Sequence, residues 1–505
     1  MGKIQRTGYW HPQHVLIPFL KISTMNSPYA DLHCHPAMKP YGKSFDKMPG
    51  NNSANRKDKH SLWYYDPPSL SDKLLNYLGG LSKFSQADAT ALQYGNVRIA
   101  CASLYPIEKW FVNNKLGTGI ISDVLDDFAL GIGKNRINFI QQIQDYFSDL
   151  ENEYDFYRQL NGTSMKLDKN PVKYILARNY ADIEASLMRD EADNTQTVCF
   201  IITIEGLHVL NTGLGREPAE AEILANLDKI KNWEFRPFFV TVAHHFWNHL
   251  CGHARSLTGI VGKETDQSEQ INTGFTDLGW KVIDKLLDNT AGKRVLIDIK
   301  HMSELSRRQY LQKLATDYVQ QRIPIIMSHA AANGLRSMQE PVVDLKDTGY
   351  LLLQEDINFY DVEILAMARS GGIMGLQLDE RRIASAETLH STPHSLFRNK
   401  IMHYRSGLLW NQVQHVAELL NSHDMFAWDC LAIGSDFDGI IDPLNAFWTE
   451  EEMPFLADYL ERHAYNYLQD RGKQVLRSYN QLAAHEIITR IFGDNAMRFM
   501  KKWFV

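Results

Sequence analysis

Short apolar runs alternate with helical stretches along most of the chain. Strand–helix alternation repeated eight times is typical of a parallel sheet that closes into a barrel, with strands buried on both faces. The sequence therefore predicts an α/β protein, a (β/α)8 TIM-type barrel with insertions and C-terminal helices. The eight candidate strands are Ala30–Pro36, Gly95–Tyr105, Val198–Glu205, Pro237–His244, Val295–His301, Ile323–His329, Gly372–Leu378 and Cys430–Asp436.

Several segments outside these strands also carry a pattern. The polar segment Met38–His60 is dense in Lys, Asn, Gly and Ser and predicts a long surface loop. Helical periodicity marks the region from about Ile120 to Leu160 and the segment Tyr180–Arg189. The amphipathic end, Ala483–Trp503, predicts helices that pack against the barrel.

Length and composition fit one large core. A barrel with insertions reaches 505 residues around a single core, so we expect one domain over 1–505 with an insertion within 36–200. The net charge of −7 provides no basic face for nucleic acid. No long apolar run predicts a membrane span, and the start of the chain does not have the pattern of a signal peptide. Five separated cysteines without a CxxC pair predict buried thiols, so we expect a cytoplasmic protein.

Titratable side chains end most of the predicted strands, although the strand bodies are apolar. In a barrel these ends converge on one mouth, where active sites of this fold lie. Each residue alone has an ordinary explanation, such as a structural histidine or a turn at GSDFDG. Together they predict a shared site, because buried ionisable groups need partners. The residues are His33, His35, Glu205, His244, His301, His329 and Asp436.

The donor types point to a metal centre. His33 and His35 alternate along one strand and therefore share a face. Imidazole nitrogen with carboxylate oxygen suits Zn²⁺, while Mn²⁺, Co²⁺ and Fe²⁺ also accept such ligands. Together with Glu205 and Asp436, four of these histidines exceed the needs of one tetrahedral ion: His33, His35, His301 and His329. Two divalent ions bridged by a carboxylate would use them all, and zinc is the preferred choice.

A series of motifs extends from Asp31 to about Phe499, among them GFTDLGWKVI, LIDIKHMS and GSDFDG. Their combination resembles the renal or membrane dipeptidase family, the metal-dependent dipeptidases of the amidohydrolase superfamily. The resemblance implies hydrolysis of the amide bond of a dipeptide or similar small substrate by a metal-bound hydroxide. It also implies that the protein can form a homodimer.

The resemblance further implies the metal ligands. His33 and His35 would bind the first ion, Glu205 would bridge both ions, and His301 and His329 would bind the second. One ligand departs from the family pattern, because the family usually has Asp where this chain has His35. A neutral nitrogen there replaces a charged oxygen, which changes metal preference or the acidity of the bound water.

The same resemblance implies roles around the ions. Asp436 would lie at the first ion as a ligand and move protons, and His244 would bind the substrate carbonyl or its oxyanion. The family arginine that holds the substrate carboxylate has no match at its usual distance. Arg336 comes sooner after the second-site histidine and is our first candidate, and Arg381 and Arg382 are the others.

Lys300 raises the question of a carboxylated lysine, which bridges metals in some relatives. Strand alternation places it with Asp298, away from the face of His301, so we expect a structural ion pair. The main alternative function is another amidohydrolase, an acyl-amino-acid deacylase or a lactonase. A more remote one is a non-catalytic metal-binding protein on the same scaffold. No GxSxG elbow, P-loop or dinucleotide fingerprint favours another enzyme class.

Overall fold

The computed structural model describes residues 27–46, 52–79, 84–113, 130–168, 170–257, 259–393, 395 and 397–505. The described strands are β1 Tyr29–Cys34, β2 Val97–Leu104, β3 Ser164–Leu167, β4 Asn170–Leu176, β5 Gln196–Glu205, β6 Phe239–Thr241, β7 Leu296–Asp298, β8 Ile326–Ala330, β9 Ile373–Leu376 and β10 Leu431–Ile433. The described α-helices are Met38–Ser44, Leu70–Gly79, Ala89–Tyr94, Lys109–Val112, Lys134–Gln141, Tyr146–Arg158, Tyr180–Asp193, Glu220–Lys231, Gly259–Glu264, Asp277–Leu287, Glu304–Thr316, Lys346–Gly349, Asp361–Arg369, Glu380–Ile383, Ala386–Ser391, Arg398–Ser422, Met453–Gln469, Arg471–Val475, Ala484–Thr489 and Asn495–Trp503.

Eight parallel strands close into a barrel. The neighbours run β1–β2–β5–β6–β7–β8–β9–β10, and β10 pairs again with β1. Each of these strands lies within one of the eight predicted runs or overlaps it closely. The predicted (β/α)8 barrel is therefore confirmed.

An additional strand pair, β3 and β4, extends the sheet beside β5. β4 is parallel to the first half of β5, from Val172 opposite Gln196 to Leu176 opposite Phe200, and β3 is antiparallel to β4. The pair falls within the segment where we expected an insertion. The sequence did not reveal it because both strands are half exposed and Pro171 interrupts their apolar pattern.

The prediction of a surface loop over Met38–His60 is wrong at the start of that segment. Met38–Ser44 is a helix, and most of its residues are buried. The ammonium of Lys39 donates to Asp438 Oδ1 at 2.6 Å, and the hydroxyl of Tyr41 donates to Asp149 Oδ1 at 2.8 Å. Polar composition was misleading here because these polar groups are buried with partners. Residues 47–51 of the predicted loop lie outside the described residues.

The other helix predictions agree better with the structure. The predicted helix at Tyr180–Arg189 lies within Tyr180–Asp193, and two helices occupy the predicted closing segment. Residues 114–129, which include the start of the long helix predicted from Ile120, lie outside the described residues. The described remainder of that prediction is divided into two helices. The second begins at Tyr146 because the Asp145 side chain accepts from Ser148 N at 3.0 Å and caps it.

The principal buried apolar cluster extends from Tyr29 to Phe504 and joins the barrel strands to the closing helices. All five cysteines are buried and free, as predicted. Among the described residues, no helix is both long enough and apolar enough to span a bilayer.

Close backbone contact on the site side of the barrel predicts one stability effect. A Cβ on Gly375 of β9 would lie 1.9 Å from the carbonyl oxygen of Ser328 in β8. We expect Gly375→Ala to lower the free energy of unfolding by about 1–3 kcal/mol through overpacking, measured by urea denaturation. Gly407→Ala is the matched control, because its Cβ would lie 3.5 Å from His463 in ordinary contact and alanine favours its helix. Equal stability of the two variants would contradict the packing argument.

Candidate functional site

The carboxyl ends of the barrel strands bring the predicted titratable residues into one cluster. Two of them lie within strands, one ends a strand, and the others follow a strand by one to three residues. All are buried or nearly so. In chain order they are His33, His35, Glu205, His244, His301, His329 and Asp436.

Glu205 lies at the centre of this cluster. Its Oε1 lies 3.5, 3.2 and 3.4 Å from Nε2 of His33, His301 and His329. Its Oε2 lies 3.0 Å from His35 Nε2. Burial alone would raise the pKa of Glu205, but the surrounding imidazoles hold that pKa well below its usual range. Glu205 is therefore a carboxylate that faces histidines from three other strand ends.

A hydrogen-bonded series fixes the tautomers of two histidines. The Asp298 carboxylate accepts from the Ser328 hydroxyl at 2.6 Å and from Ser328 N at 3.0 Å. Since the hydroxyl proton is used there, Ser328 Oγ accepts from His33 Nδ1 at 3.2 Å and from His329 Nδ1 at 2.9 Å. Both rings then present an unprotonated Nε2 towards Glu205, which is the form that binds metals.

The donor set fits divalent ions. Nε2 of His33 lies 3.1 Å from Nε2 of His35, and Nε2 of His301 lies 3.1 Å from Nε2 of His329. Two nitrogens bound to one tetrahedral Zn²⁺ lie roughly 3.3 Å apart. In addition, Glu205 Oε1 is buried without a hydrogen-bond partner among the described residues. Convergent ring nitrogens around an orphaned carboxylate oxygen are the arrangement that a cation would complete.

Asp436 lies at the open side of the cluster. Its Oδ1 lies 3.8 Å from His33 Nε2 and 3.7 Å from His35 Nε2, and its side chain is 13% exposed. Burial raises its pKa, and the hydrogen bond with His35 offsets this only in part. The backbone of Asp436 is left-handed, with a φ of +61°, so the chain no longer follows the direction of β10 there. Gly439 makes room for it, since a Cβ there would meet Asp436 Oδ1 at 2.0 Å.

A carboxylate that the sequence analysis missed holds His244. Glu108 Oε2 accepts from His244 Nδ1 at 2.9 Å and from the Tyr105 hydroxyl at 2.8 Å, and Glu108 Oε1 accepts from His245 N at 3.1 Å. His244 Nε2 lies 3.6 Å from Glu205 Oε1. Burial lowers the pKa of His244, but Glu108 and Glu205 outweigh it and raise that pKa overall. The signal for Glu108 was its position shortly after β2. This predicted strand had no titratable residue at its end, so an acidic residue just beyond it was a candidate.

His245 is the second residue that the sequence analysis missed. It can share a cation with His244 and His301, because one ring nitrogen from each lies within 4.8 Å of the others. Its Nδ1 lies 2.7 Å from Ser256 Oγ. Burial lowers the pKa of His245 well below its usual value, so the ring is neutral. The consecutive histidines after β6 were a visible signal for it.

The candidate arginines separate into two groups. Arg381 and Arg382 line the cavity above the cluster, together with His301, His329 and Asp436. Arg336 lies at the surface, where Nε and Nη2 donate to Asp344 at 2.8 and 2.6 Å. The structure therefore brings Arg381 and Arg382 to the site and leaves Arg336 in a surface ion pair.

The expected ion pair between Lys300 and Asp298 does not form. Asp298 accepts instead from the Lys300 backbone N–H at 3.1 Å and from the hydroxyls of Thr241 and Ser328. The Lys300 side chain lines the cavity. Burial and the nearby charge of Arg382 lower its pKa to about 7. Alternation failed because β7 ends at Asp298 and His301 has a φ of +64°, so the period of a strand no longer applies.

The fold and this cluster define the class as a (β/α)8 barrel with a candidate metal centre at the mouth. No protein-family model matches the sequence, and the search of curated proteins found no match. The probable dipeptidase PvdM from Pseudomonas aeruginosa has a similar structure, with a TM-score of 0.46 and 15% identity over 83% of this chain and 88% of that one. Dipeptidase AC, a metallo peptidase, has a TM-score of 0.47 and 13% identity over 86% and 94% of the two chains.

A metallo peptidase from Rhodobacter sphaeroides, liganded with a phosphinate mimic of the dipeptide L-Ala-D-Ala, is also similar. It has a TM-score of 0.48 and 11% identity, covering 95% of this chain and 99% of that one. Because these identities are only 11–15%, the similarity assigns no function to this chain.

The metal-free site predicts proton release on ion binding. His35 Nδ1 lies 3.1 Å from the carbonyl oxygen of Ser103, which leaves Nε2 facing the carboxylates. Burial lowers the pKa of His35, but hydrogen bonds with Asp436 and Glu205 outweigh it and raise that pKa to about 10. The ring is thus protonated below this pH and must lose its proton to bind an ion. We expect Zn²⁺ binding at about pH 8 to release about one proton from His35.

The measurement is calorimetric titration in two buffers of different ionisation enthalpy. His35→Asp is the matched variant, because a carboxylate with an ordinary pKa is already deprotonated at that pH. Its proton release should be about one lower than that of the unaltered protein. The same release from both proteins would contradict the assignment of His35 as a ligand.

Proposed function

We propose that the protein is a metal-dependent hydrolase that cleaves the amide bond of a dipeptide or a similar small substrate. The observation that carries this proposal is the buried Oε1 of Glu205, which has no hydrogen-bond partner among the described residues and faces converging imidazole nitrogens. A second supporting feature is the cavity that opens above it, where a substrate can reach the cluster. Barrel enzymes bind substrates at this end of the strands.

Two divalent ions fit the number and type of donors, and zinc suits them best. When bound, they would lower the pKa of a water molecule and polarise the scissile carbonyl. Glu205 would be shared between them, because its carboxylate lies among the histidines of both proposed ion sites. The first ion would be held by His33, His35 and Asp436, and the second by His301 and His329.

Asp436 is the proposed proton carrier. Its carboxylate lies between the cluster and the cavity, and its raised pKa favours proton uptake. It would accept a proton from the attacking water and then donate a proton to the nitrogen of the leaving amine. Acceptance and donation by one group require a position that reaches both atoms, and the left-handed turn at Asp436, which Gly439 accommodates, supports this role.

His244 is the proposed oxyanion donor. Its Nδ1 proton is held by Glu108, so a second proton on Nε2 makes the ring an imidazolium. The raised pKa of His244 favours that state. Nε2–H is directed into the cluster, 3.6 Å from Glu205 Oε1, where it can stabilise negative charge on the substrate oxygen.

The first test combines metal analysis with substrates. The purified protein should contain or be activated by a divalent ion, and L-L and L-D dipeptides should be hydrolysed in a manner that a chelator abolishes. Bound metal without dipeptide turnover would favour an acyl-amino-acid deacylase or a lactonase. Absence of both bound and activating metal would overturn the proposal.

Two carboxylate variants separate metal binding from proton transfer. Glu205→Gln should lose metal and activity together, because it removes the central charge. Asp436→Asn should retain most of the metal but lose about 10²–10⁴-fold in kcat. Metal content by mass spectrometry and dipeptide kinetics measure both effects. Asp424→Asn is the control, since the Asp424 side chain is 71% exposed and pairs with Arg477. Full activity of Asp436→Asn would contradict the assigned proton transfer.

A further inference from the structure

Two consecutive histidines follow β6, and the proposed function uses only the first of them. The ring of His245 lies against that of His244, with ring centroids 3.7 Å apart and an angle of 38° between the ring planes. His245 also lines the cavity, together with His301 and Asp436. It therefore lies next to both the proposed oxyanion donor and the space that a substrate enters.

The amide of Gln267 sets the hydrogen bonds around His245. Gln267 Oε1 accepts from the backbone N–H of Leu257 at 2.8 Å, so the amide nitrogen is the donor end. That nitrogen donates to the carbonyl oxygen of His245 at 2.7 Å and to Ser256 Oγ at 2.9 Å. The Ser256 hydroxyl thus already accepts one hydrogen bond, and its own proton remains to be donated.

The hydroxyl proton of Ser256 fixes the tautomer of His245. Ser256 Oγ lies 2.7 Å from His245 Nδ1, a typical length for a hydrogen bond donated by a hydroxyl. Among the described residues, this nitrogen is the acceptor available to that proton. A neutral imidazole that accepts at Nδ1 carries its own proton on Nε2. His245 is therefore a neutral donor, unlike His33 and His329, whose Nε2 atoms carry no proton.

The Nε2–H group of His245 has no acceptor among the described residues. His245 is only 7% exposed, and a buried donor without an acceptor is unfavourable. An oxygen atom of a ligand in the cavity would supply that acceptor. One ring nitrogen from each of His244, His245 and His301 lies within 4.8 Å of the others. His245 could share an ion with these rings only by moving its proton to Nδ1, which would cost the hydrogen bond from Ser256.

We propose that His245 is a second oxyanion donor, which acts with His244 on the carbonyl oxygen of the scissile amide. This role rests on the proposed function. When the oxygen of the attacking water bonds to the carbonyl carbon, the π electron pair moves to the carbonyl oxygen and Asp436 takes the proton of the water. The Nε2–H groups of both histidines donate to that oxygen until the pair returns, the C–N bond breaks and Asp436 passes its proton to the leaving nitrogen. Donors that are fixed before the reaction stabilise this charge without reorganisation.

The first test removes the donor from the metal-loaded, full-length protein. His245→Leu should lower kcat for dipeptides by about 10²–10³-fold, with little change in KM, because the interaction is made in the transition state. Its metal content should equal that of the unaltered protein. His245→Gln should recover most of the lost kcat, since the glutamine amide places an N–H group near the position of the imidazole Nε2.

The control variant is His423→Leu. His423 is exposed, and its Nδ1 also contacts a serine hydroxyl, at 3.1 Å from Ser422 Oγ. Its replacement should leave kcat, KM and metal content unchanged.

The second test needs no activity and keeps the proposal decisive if His245→Leu does not fold. Nitrogen NMR of the metal-free protein, with ¹⁵N in the histidine rings, measures which ring nitrogen carries the proton. The signals of His245 are those missing from the spectrum of His245→Gln. They should show a protonated Nε2 and an unprotonated Nδ1.

The donor role and the proposed function fail on different results. Undiminished kcat of His245→Leu, in a protein that hydrolyses dipeptides, would overturn the donor role and leave the hydrolase intact. Loss of metal from a folded His245→Leu variant would make His245 an ion ligand, and a proton found on Nδ1 would remove the donor, so either result also overturns the role. An unaltered protein that neither binds metal nor hydrolyses dipeptides would overturn the hydrolase, and the oxyanion role with it.

Discussion

The burial of the Glu205 carboxylate is the constraint on which the rest of the site depends. A carboxylate in the interior is unfavourable without opposite charge or hydrogen-bond donors. Here ring nitrogens from the ends of β1, β7 and β8 surround it at 3.0–3.6 Å, together with His244 after β6. The closed barrel makes this possible, because it directs strands from distant parts of the chain to one point.

The barrel core also sets the orientation of the ligands. Ser328 contacts the rings of His33 and His329 and binds Asp298, so one hydroxyl orients histidines of both proposed ion sites. Its carbonyl oxygen lies against Gly375 and Gly434, where any side chain would intrude. The close packing of these three strands and the tautomers of the histidines therefore both depend on Ser328. A change in the packing would disturb the orientation of the histidines.

Much of this could be read from the sequence, and the failures have a common cause. The eight strands were predictable because their bodies are apolar and their ends are polar. The directions of side chains beyond a strand end were not predictable, since strand alternation stops there. Lys300 faces the cavity because β7 has ended, and Glu108 reaches His244 from a turn and a short helix after β2. Lys39 was assigned to a surface loop because its buried partner, Asp438, is distant in sequence.

Several unfavourable features of the molecule lie at this mouth. His301 and Asp436 have left-handed backbone conformations, with φ of +64° and +61°. For a residue other than glycine, this conformation costs about 1–3 kcal/mol. The buried guanidinium of Arg382 pairs at 3.5 Å with Glu355, whose side chain is 47% exposed. By contrast, Asp298, Glu108 and other buried carboxylates near the mouth have several donors each. Ions at the histidines would offset the cost of burying the Glu205 carboxylate, so the ligands that complete the chemistry would also stabilise the fold.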